Sequence, residues 1–109
     1  MNTLSTQKEF QDIVTASRPQ PQVIFKHSLI CPISRAAYNR IEDLLDLPSI
    51  HTLIVQDNRA LNLIIADMLD IPHESPQVIA IADGLVIYHA NHSAINKEIL
   101  VNLLDEHKK

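Results

Sequence analysis

The chain has 109 residues, of which 46% are hydrophobic and 20% charged, with a formal net charge of −4 at pH 7. These values suit one compact domain over residues 1–109, and they exclude a disordered chain, a strongly basic nucleic-acid binder and a membrane-spanning protein. A single cysteine cannot form an internal disulfide and "MNTLSTQKEF" is not a signal peptide, so we expect a cytoplasmic protein.

The first half of the chain alternates between helical and strand patterns. Thr6 and Glu9 have the spacing of a capping box and predict a helix from Thr6 to Ala16, followed by the β-prone run Val23–His27. Apolar residues then recur at helical spacing from Pro32 to Asp46 and predict a second helix, which buries Ile33, Ala37, Ile41, Leu44 and Leu45. The β-branched run His51–Val55 predicts the next strand.

The second half continues this alternation and adds a hairpin. A full helical pattern predicts a helix over Asn58–Leu69 that buries Leu61, Ile64, Ile65, Met68 and Leu69. Asp83-Gly84 joins the predicted strands Val78–Ala82 and Leu85–Tyr88 in a tight turn. A last helix over Ala94–Glu106 is expected to bury Ile95, Ile99, Leu100, Leu103 and Leu104, with Lys108 and Lys109 just beyond its negative end.

The order of elements is therefore α-β-α-β-α-β-β-α. Strand–helix–strand units predict parallel, right-handed crossovers, and the hairpin adds an antiparallel pair. The order resembles a thioredoxin-like α/β fold with a four-stranded mixed sheet and helices on both faces.

Cys31 falls between the first predicted strand and the second predicted helix. Unpaired N–H groups and the dipole at a helix N-terminus stabilise an anion, so a thiolate is favoured at this position. Lys26, His27 and Arg35 are near in sequence and add positive charge. Residue type alone favours a buried structural cysteine. The helix-start position and the polar "KHS" before it favour a nucleophile instead.

Two further positions are candidates for the same site. Ser34 stands where a Cys-x-x-Cys motif has its second cysteine, and its hydroxyl can donate to the Cys31 sulfur or bond local backbone. It cannot resolve a mixed disulfide. Ser75-Pro76 precedes the third predicted strand, where thioredoxin-like domains have a cis proline facing the active cysteine. The main chain at Ser75 would then be free to pair with an extended thiol substrate.

The six histidines do not form a convincing metal site, and a structural role explains them better. His89 and His92 are three residues apart, but no carboxylate or cysteine pattern completes a zinc site, and we expect no bound metal. His27 ends a strand and is either a structural imidazole or a general acid.

Four segments together resemble a known family: "FKHSLICPIS", "LIVQ", "HESPQVI" and "DGLVIYHANHSAIN". They are similar to the YtxJ-like family of the bacillithiol redox system, the monothiol bacilliredoxins, over nearly the whole chain. Two positions depart from the family pattern. Ile30 replaces the usual threonine or small polar residue before the cysteine, and "HANHSAI" lacks the tryptophan of "HASHWDI".

The resemblance implies a thioredoxin-like fold and a thiol–disulfide oxidoreductase that removes bacillithiol from S-thiolated cytosolic proteins. Cys31 would be catalytic, and the substrate site would be lined by His27, Pro32, Ser34, Ser75 and Pro76. Bacillithiol would be a co-substrate, with no tightly bound cofactor, and a second small thiol or a separate reductase would regenerate the enzyme.

Two alternatives remain open from the sequence. Monothiol glutaredoxins carry iron–sulfur clusters on a "CGFS" motif, whereas this chain has "CPIS". The other alternative is a non-catalytic thioredoxin-like interaction module with an inert cysteine.

Overall fold

A computed structural model describes residues 1–107, so the expected position of Lys108 and Lys109 lies outside the described residues. The strands and α-helices in this part of the chain are β1 (Asn2–Thr3), α1 (Gln7–Ala16), β2 (Gln22–His27), α2 (Pro32–Ile41), β3 (Ile50–Ile54), α3 (Arg59–Leu69), β4 (Gln77–Ala82), β5 (Leu85–Asn91) and α4 (Lys97–Glu106). No helix among these residues is long and apolar enough to cross a membrane.

The strands form one mixed sheet in the order β1-β3-β2-β4-β5. β3 pairs in parallel with both β1 and β2, whereas β4 pairs antiparallel with β2 and β5. The predicted thioredoxin-like order is confirmed, but the described sheet has five strands instead of four. The extra strand, β1, has two residues, which is too short to produce a recognisable alternation.

The core lies on both faces of the sheet. All six residues of β2 are buried, as expected for a central strand covered on both sides. Val23 and Phe25 pack into the cluster that contains α2 and α4, and Ile24 packs into the cluster that contains α1 and α3. Successive side chains of β2 therefore join opposite layers, which is the period-2 geometry of a strand.

Two predicted helices were too long. α2 ends at Ile41, and a 3₁₀ turn at Glu42–Leu44 follows it. The turn still buries Leu44 and Leu45, so the apolar spacing is satisfied without a continuous helix. α4 begins at Lys97 because the Asn96 side chain accepts the Ile99 N–H (3.1 Å) and caps the helix there.

The segment before α4 is assigned differently from the prediction. β5 continues to Asn91, and a 3₁₀ turn covers His92–Ala94, followed by Ile95 in an extended conformation. Ile95 is buried as expected, but Ile33, Ile99 and Met68 are exposed and the prediction that they are buried was wrong. Helical spacing alone does not separate the edge of an apolar face from its centre.

The α1 capping box and the Asp83-Gly84 hairpin are confirmed. Thr6 and Glu9 exchange the two hydrogen bonds of the box. Ala82 pairs with Leu85 across a two-residue loop, and Asp83 and Gly84 have φ values of 52° and 77°. Both angles are positive, as a type I′ turn requires.

Three loops meet at one edge of the sheet. β2 and β3 are parallel, so both end there, and β4 starts there because it is antiparallel to β2. The loop before α2, the 3₁₀ turn at Val55–Asp57 and the segment before Gln77 therefore share this edge. Ligand sites of open α/β sheets commonly lie beyond the carboxyl ends of parallel strands.

Candidate redox site around Cys31

Cys31 is the N-cap residue of the ten-residue helix α2, with Pro32 at the first helical position. Its carbonyl accepts the Arg35 N–H (3.0 Å), which starts the helical hydrogen bonds. The residue is partly exposed, and its sulfur has no hydrogen-bond partner among the described residues. Cys31 is therefore a partly exposed residue at the positive end of a helix, the position that the sequence predicted.

Ser34 contacts the loop that precedes Cys31 instead of the Cys31 sulfur. Its Oγ accepts the Ser28 main-chain N–H (2.8 Å) and lies 2.7 Å from His27 Nδ1. Ser34 is 0% exposed, so these are strongly desolvated bonds. Of the two roles that the sequence left open for Ser34, the structure shows the bond to local backbone and no bond to the Cys31 sulfur.

His27 is held on three sides. Its ring stacks on Phe25 and Tyr38, with centroid distances of 5.3 and 5.0 Å, and Nδ1 faces Ser34. Burial, and then the positive charge of Arg35, lower the pKa of His27, so the ring is neutral at pH 7. These contacts fix the position of the His27 ring at this edge of the sheet.

The hydrogen bonds also determine which ring nitrogen of His27 carries the proton. The Ser28 N–H can only donate, so the Ser34 hydroxyl hydrogen has His27 Nδ1 as its one acceptor in the described part of the chain. A neutral His27 that accepts at Nδ1 carries its hydrogen on Nε2.

Gln56 is a site residue that the sequence reasoning missed. Its Oε1 accepts the Leu29 N–H (3.3 Å) and its Nε2 donates to Ser28 Oγ (2.6 Å). Ser34 and Gln56 thus hold the loop before Cys31 from two sides. The sequence did contain a signal for Gln56, since it is a polar residue directly after an apolar strand. Such residues lie at the edge of the sheet where parallel strands end.

The Ser75-Pro76 bond is cis, as the sequence comparison with thioredoxin-like domains led us to expect. Lys26 pairs with Gln77, so Pro76 lies beside the end of β2, from which the Cys31 loop leaves. The Pro76 carbonyl accepts the His92 N–H (3.0 Å). The main-chain groups of Ser75 have no partner within residues 1–107, so they are free to pair with an extended chain.

Lys26 is adjacent to His27 in sequence but faces the other layer of the protein. Its side chain is 0% exposed, and Nζ lies 3.1 Å from His73 Nδ1. Burial lowers the pKa of Lys26 to about 8. Of the three cationic groups expected to act on Cys31, Lys26 is thus committed to His73.

The described residues contain no group of three or more His, Cys, Asp or Glu side chains able to hold a metal ion. His92, one of the two closely spaced histidines, lies 3.6 Å from a Glu74 carboxylate oxygen instead.

A mixed sheet covered on both faces, a cysteine at the start of α2 and a cis proline before β4 define a thioredoxin-like protein. A solved structure described by its thioredoxin fold and a provisional oxidoreductase assignment is 30% identical, with a TM-score of 0.82 over 93% of this chain and 90% of its own. The family model of the monothiol bacilliredoxin BrxC matches residues 2–100, and the chain belongs to this family. A thiol redox role follows from the family and the fold.

More distant structures support the fold alone. Thioredoxin from Fasciola hepatica is 18% identical, with a TM-score of 0.71, and the alignment covers 99% of this chain and 100% of that one. Thioredoxin from Malassezia sympodialis is 15% identical, with a TM-score of 0.70, and the alignment covers 98% and 90%.

Proposed function

We propose that this protein is a monothiol thiol–disulfide oxidoreductase that removes bacillithiol from S-thiolated cytosolic proteins through Cys31. The observation that carries the proposal is the partly exposed residue Cys31 at the N-terminus of α2, in a chain of the bacilliredoxin family. The thiolate is the reactive form in thiol–disulfide exchange, so the proposal requires Cys31 to react in that form.

The first step transfers the small thiol to Cys31. The Cys31 thiolate attacks the small-thiol sulfur of the capped protein, and a new disulfide forms between Cys31 and that sulfur. The old disulfide breaks, and the substrate cysteine leaves as a thiolate that takes a proton from solvent. One disulfide replaces another, so this step needs no oxidant or reductant.

The second step needs a thiol from outside the chain. Cys31 is the only cysteine, and the position of a resolving cysteine holds Ser34, whose hydroxyl is committed to His27 and Ser28. A second small thiol, or a separate reductase, attacks the Cys31 adduct and releases the Cys31 thiolate. The cycle involves no tightly bound cofactor and takes place in the cytoplasm.

The remaining site residues orient the substrate. The free main-chain groups of Ser75, next to cis-Pro76, pair with the extended chain around the capped cysteine. His27 holds the loop before Cys31 through Ser34, and Pro32 starts α2 so that the helix N-terminus points at the thiol.

The test uses a Cys31→Ser variant and a test protein that carries bacillithiol on one cysteine. We expect release of the cap, followed by intact mass, to fall to the uncatalysed rate. Circular dichroism should show an unchanged fold, because Cys31 is partly exposed and makes no side-chain hydrogen bond within the described residues. Release at the wild-type rate by the variant would overturn the proposal.

A second measurement identifies the small thiol. The wild-type protein is exposed to the disulfides of bacillithiol, glutathione, coenzyme A and cysteine, and the mass of the Cys31 adduct is recorded. We expect bacillithiol to give the fastest adduct. Faster reaction with another thiol would reject the assignment of bacillithiol.

A further inference from the structure

A cavity of about 290 Å³ opens beside the Cys31 loop. Its walls come from the end of β2, the loop, the first turns of α2 and the end of β3, and the lining residues are Met1, His27, Leu29, Arg35, Tyr38 and Ile54. Leu29 lies two residues before Cys31, and the Arg35 N–H is bonded to the Cys31 carbonyl. The cavity is therefore next to the residue that would carry the small thiol.

Three lining residues, Arg35, His27 and Tyr38, carry N–H or O–H donors, and no carboxylate lines the cavity. Arg35 makes no ion pair with any carboxylate of residues 1–107. His27 accepts at Nδ1, so the hydrogen it presents is on Nε2, which has no partner in the described part of the chain. The N-terminal ammonium of Met1 is already paired with Asp46. Leu29, Tyr38 and Ile54 make the other walls largely apolar.

An unpaired guanidinium and a neutral N–H donor in a half-apolar cavity match a carboxylate. Arginine binds carboxylates through two parallel hydrogen bonds, and partial shielding from water strengthens such bonds. The Arg35 charge already acts on the His27 ring, since it helps to lower the pKa of His27. Both residues also line the same cavity, so one ligand bound there can reach both side chains.

We infer that this cavity is the subsite for a carboxylate of the small thiol while its sulfur reacts at Cys31. The inference rests on the proposed function and adds the chemical class that the enzyme selects: anionic thiols over neutral or cationic ones. Arg35 contacts the carboxylate directly, and His27 Nε2–H donates the second bond.

The test compares caps of different charge on the same test protein. Glutathione carries carboxylates, 2-mercaptoethanol is neutral and cysteamine is cationic. For each variant, the readout is the ratio between the rate constants for releasing the glutathione cap and the 2-mercaptoethanol cap. Using a ratio removes any general effect of a substitution on the reactivity of Cys31.

The wild-type protein should release caps in the order glutathione, 2-mercaptoethanol, cysteamine. Arg35→Gln should lower the glutathione preference by about tenfold, because glutamine loses the charge but can still donate one neutral hydrogen bond. Arg35→Glu should bring cysteamine ahead of glutathione. The matched control is Arg59→Gln, because Arg59 lines a separate cavity at the same sheet edge with His73 and Asn62, and the preference should remain there.

The outcomes separate this inference from the proposed function. Equal slowing of all three caps in Arg35→Gln would mean that Arg35 acts on the thiol in general, and the subsite would be rejected. Loss of the preference in Arg59→Gln alone would place the subsite in the other cavity and would also reject it. Failure of the wild-type protein to release the glutathione cap, while it still releases bacillithiol, would reject the carboxylate subsite, and failure with bacillithiol as well would instead overturn the proposed function.

Discussion

Lys26 is a buried cation that the fold tolerates at a cost. It is 0% exposed, and its one hydrogen-bond partner within the described residues is His73 Nδ1, which is not a carboxylate. Burial lowers the pKa of Lys26 to about 8 from its ordinary value of 10.5, so at pH 7 it is still mostly charged. Lys26→Met keeps most of the side-chain volume, and we expect it to raise the free energy of unfolding at pH 7 by about 2 kcal/mol.

The pH dependence of the free energy of unfolding tests whether the buried charge of Lys26 causes the expected gain in Lys26→Met. Between the folded pKa of about 8 and the unfolded pKa of 10.5, the unfolded chain binds more protons at Lys26, so wild-type stability rises with pH in this window. Urea denaturation should therefore show a smaller advantage of Lys26→Met at pH 10 than at pH 7. The control Lys8→Met removes an exposed lysine and should change stability by less than about 0.5 kcal/mol. A destabilised Lys26→Met would show that the His73 contact outweighs the cost of burial.

The β4–β5 hairpin depends on its turn and on α1. Gly84 has φ of 77°, and a Cβ there would meet Arg18 Nη2 at an ordinary contact distance of 3.9 Å. Sterics are thus acceptable, and the cost of Gly84→Ala is the positive φ, about 1 kcal/mol of unfolding free energy. Gly84→Asn should cost less, because asparagine adopts this conformation more readily. Urea denaturation measures both, and equal losses would show that the φ angle is not the cause.

The Gly84 turn was predictable from sequence because its chemistry is local, and so was Cys31 at the start of α2. β1 was not predictable, since Asn2 and Thr3 are a strand only through pairing with His51 and Thr52. The bonds that hold the Cys31 loop were missed for the same reason. Gln56 reaches Ser28 across 28 positions of sequence, and nothing near Ser34 indicated that its hydroxyl would face His27 instead of the cysteine.

At the scale of the whole molecule, three histidines make the stability of the fold depend on pH in the acid range. Burial is the first cause of a lowered pKa at His27, His51 and His73, so the folded state favours the neutral ring in each case. At His51 burial is the only cause, because the contact of its Nε2 with Gln22 Oε1 (2.7 Å) is one that a protonated ring can also make. Protonation therefore opposes folding at three separate places.

The sign of the effect follows from proton binding. Above the unfolded histidine pKa of about 6.5, both states are neutral at these rings and their contribution to stability is complete. As pH falls below that value, the unfolded chain takes up protons first, and stability is lost down to the lowered pKa values of the folded state. We expect the free energy of unfolding to fall by about 1 kcal/mol between pH 7 and pH 5.5.

Lys26 and the three histidines together predict how the free energy of unfolding varies with pH. It should fall on the acid side, level off near neutral pH and rise above pH 8. Different side chains cause the acid and alkaline limbs of the profile, so single substitutions can separate the two. Lys26→Met should flatten the alkaline limb and slightly reduce the acid limb, because the Lys26 charge helps to lower the pKa of His73. His51→Gln should reduce the acid limb and leave the alkaline one. Urea denaturation at half-unit steps from pH 5.5 to pH 10 measures both limbs. An acid limb of unchanged slope in His51→Gln would mean that protonation of His51 does not oppose folding, against the prediction.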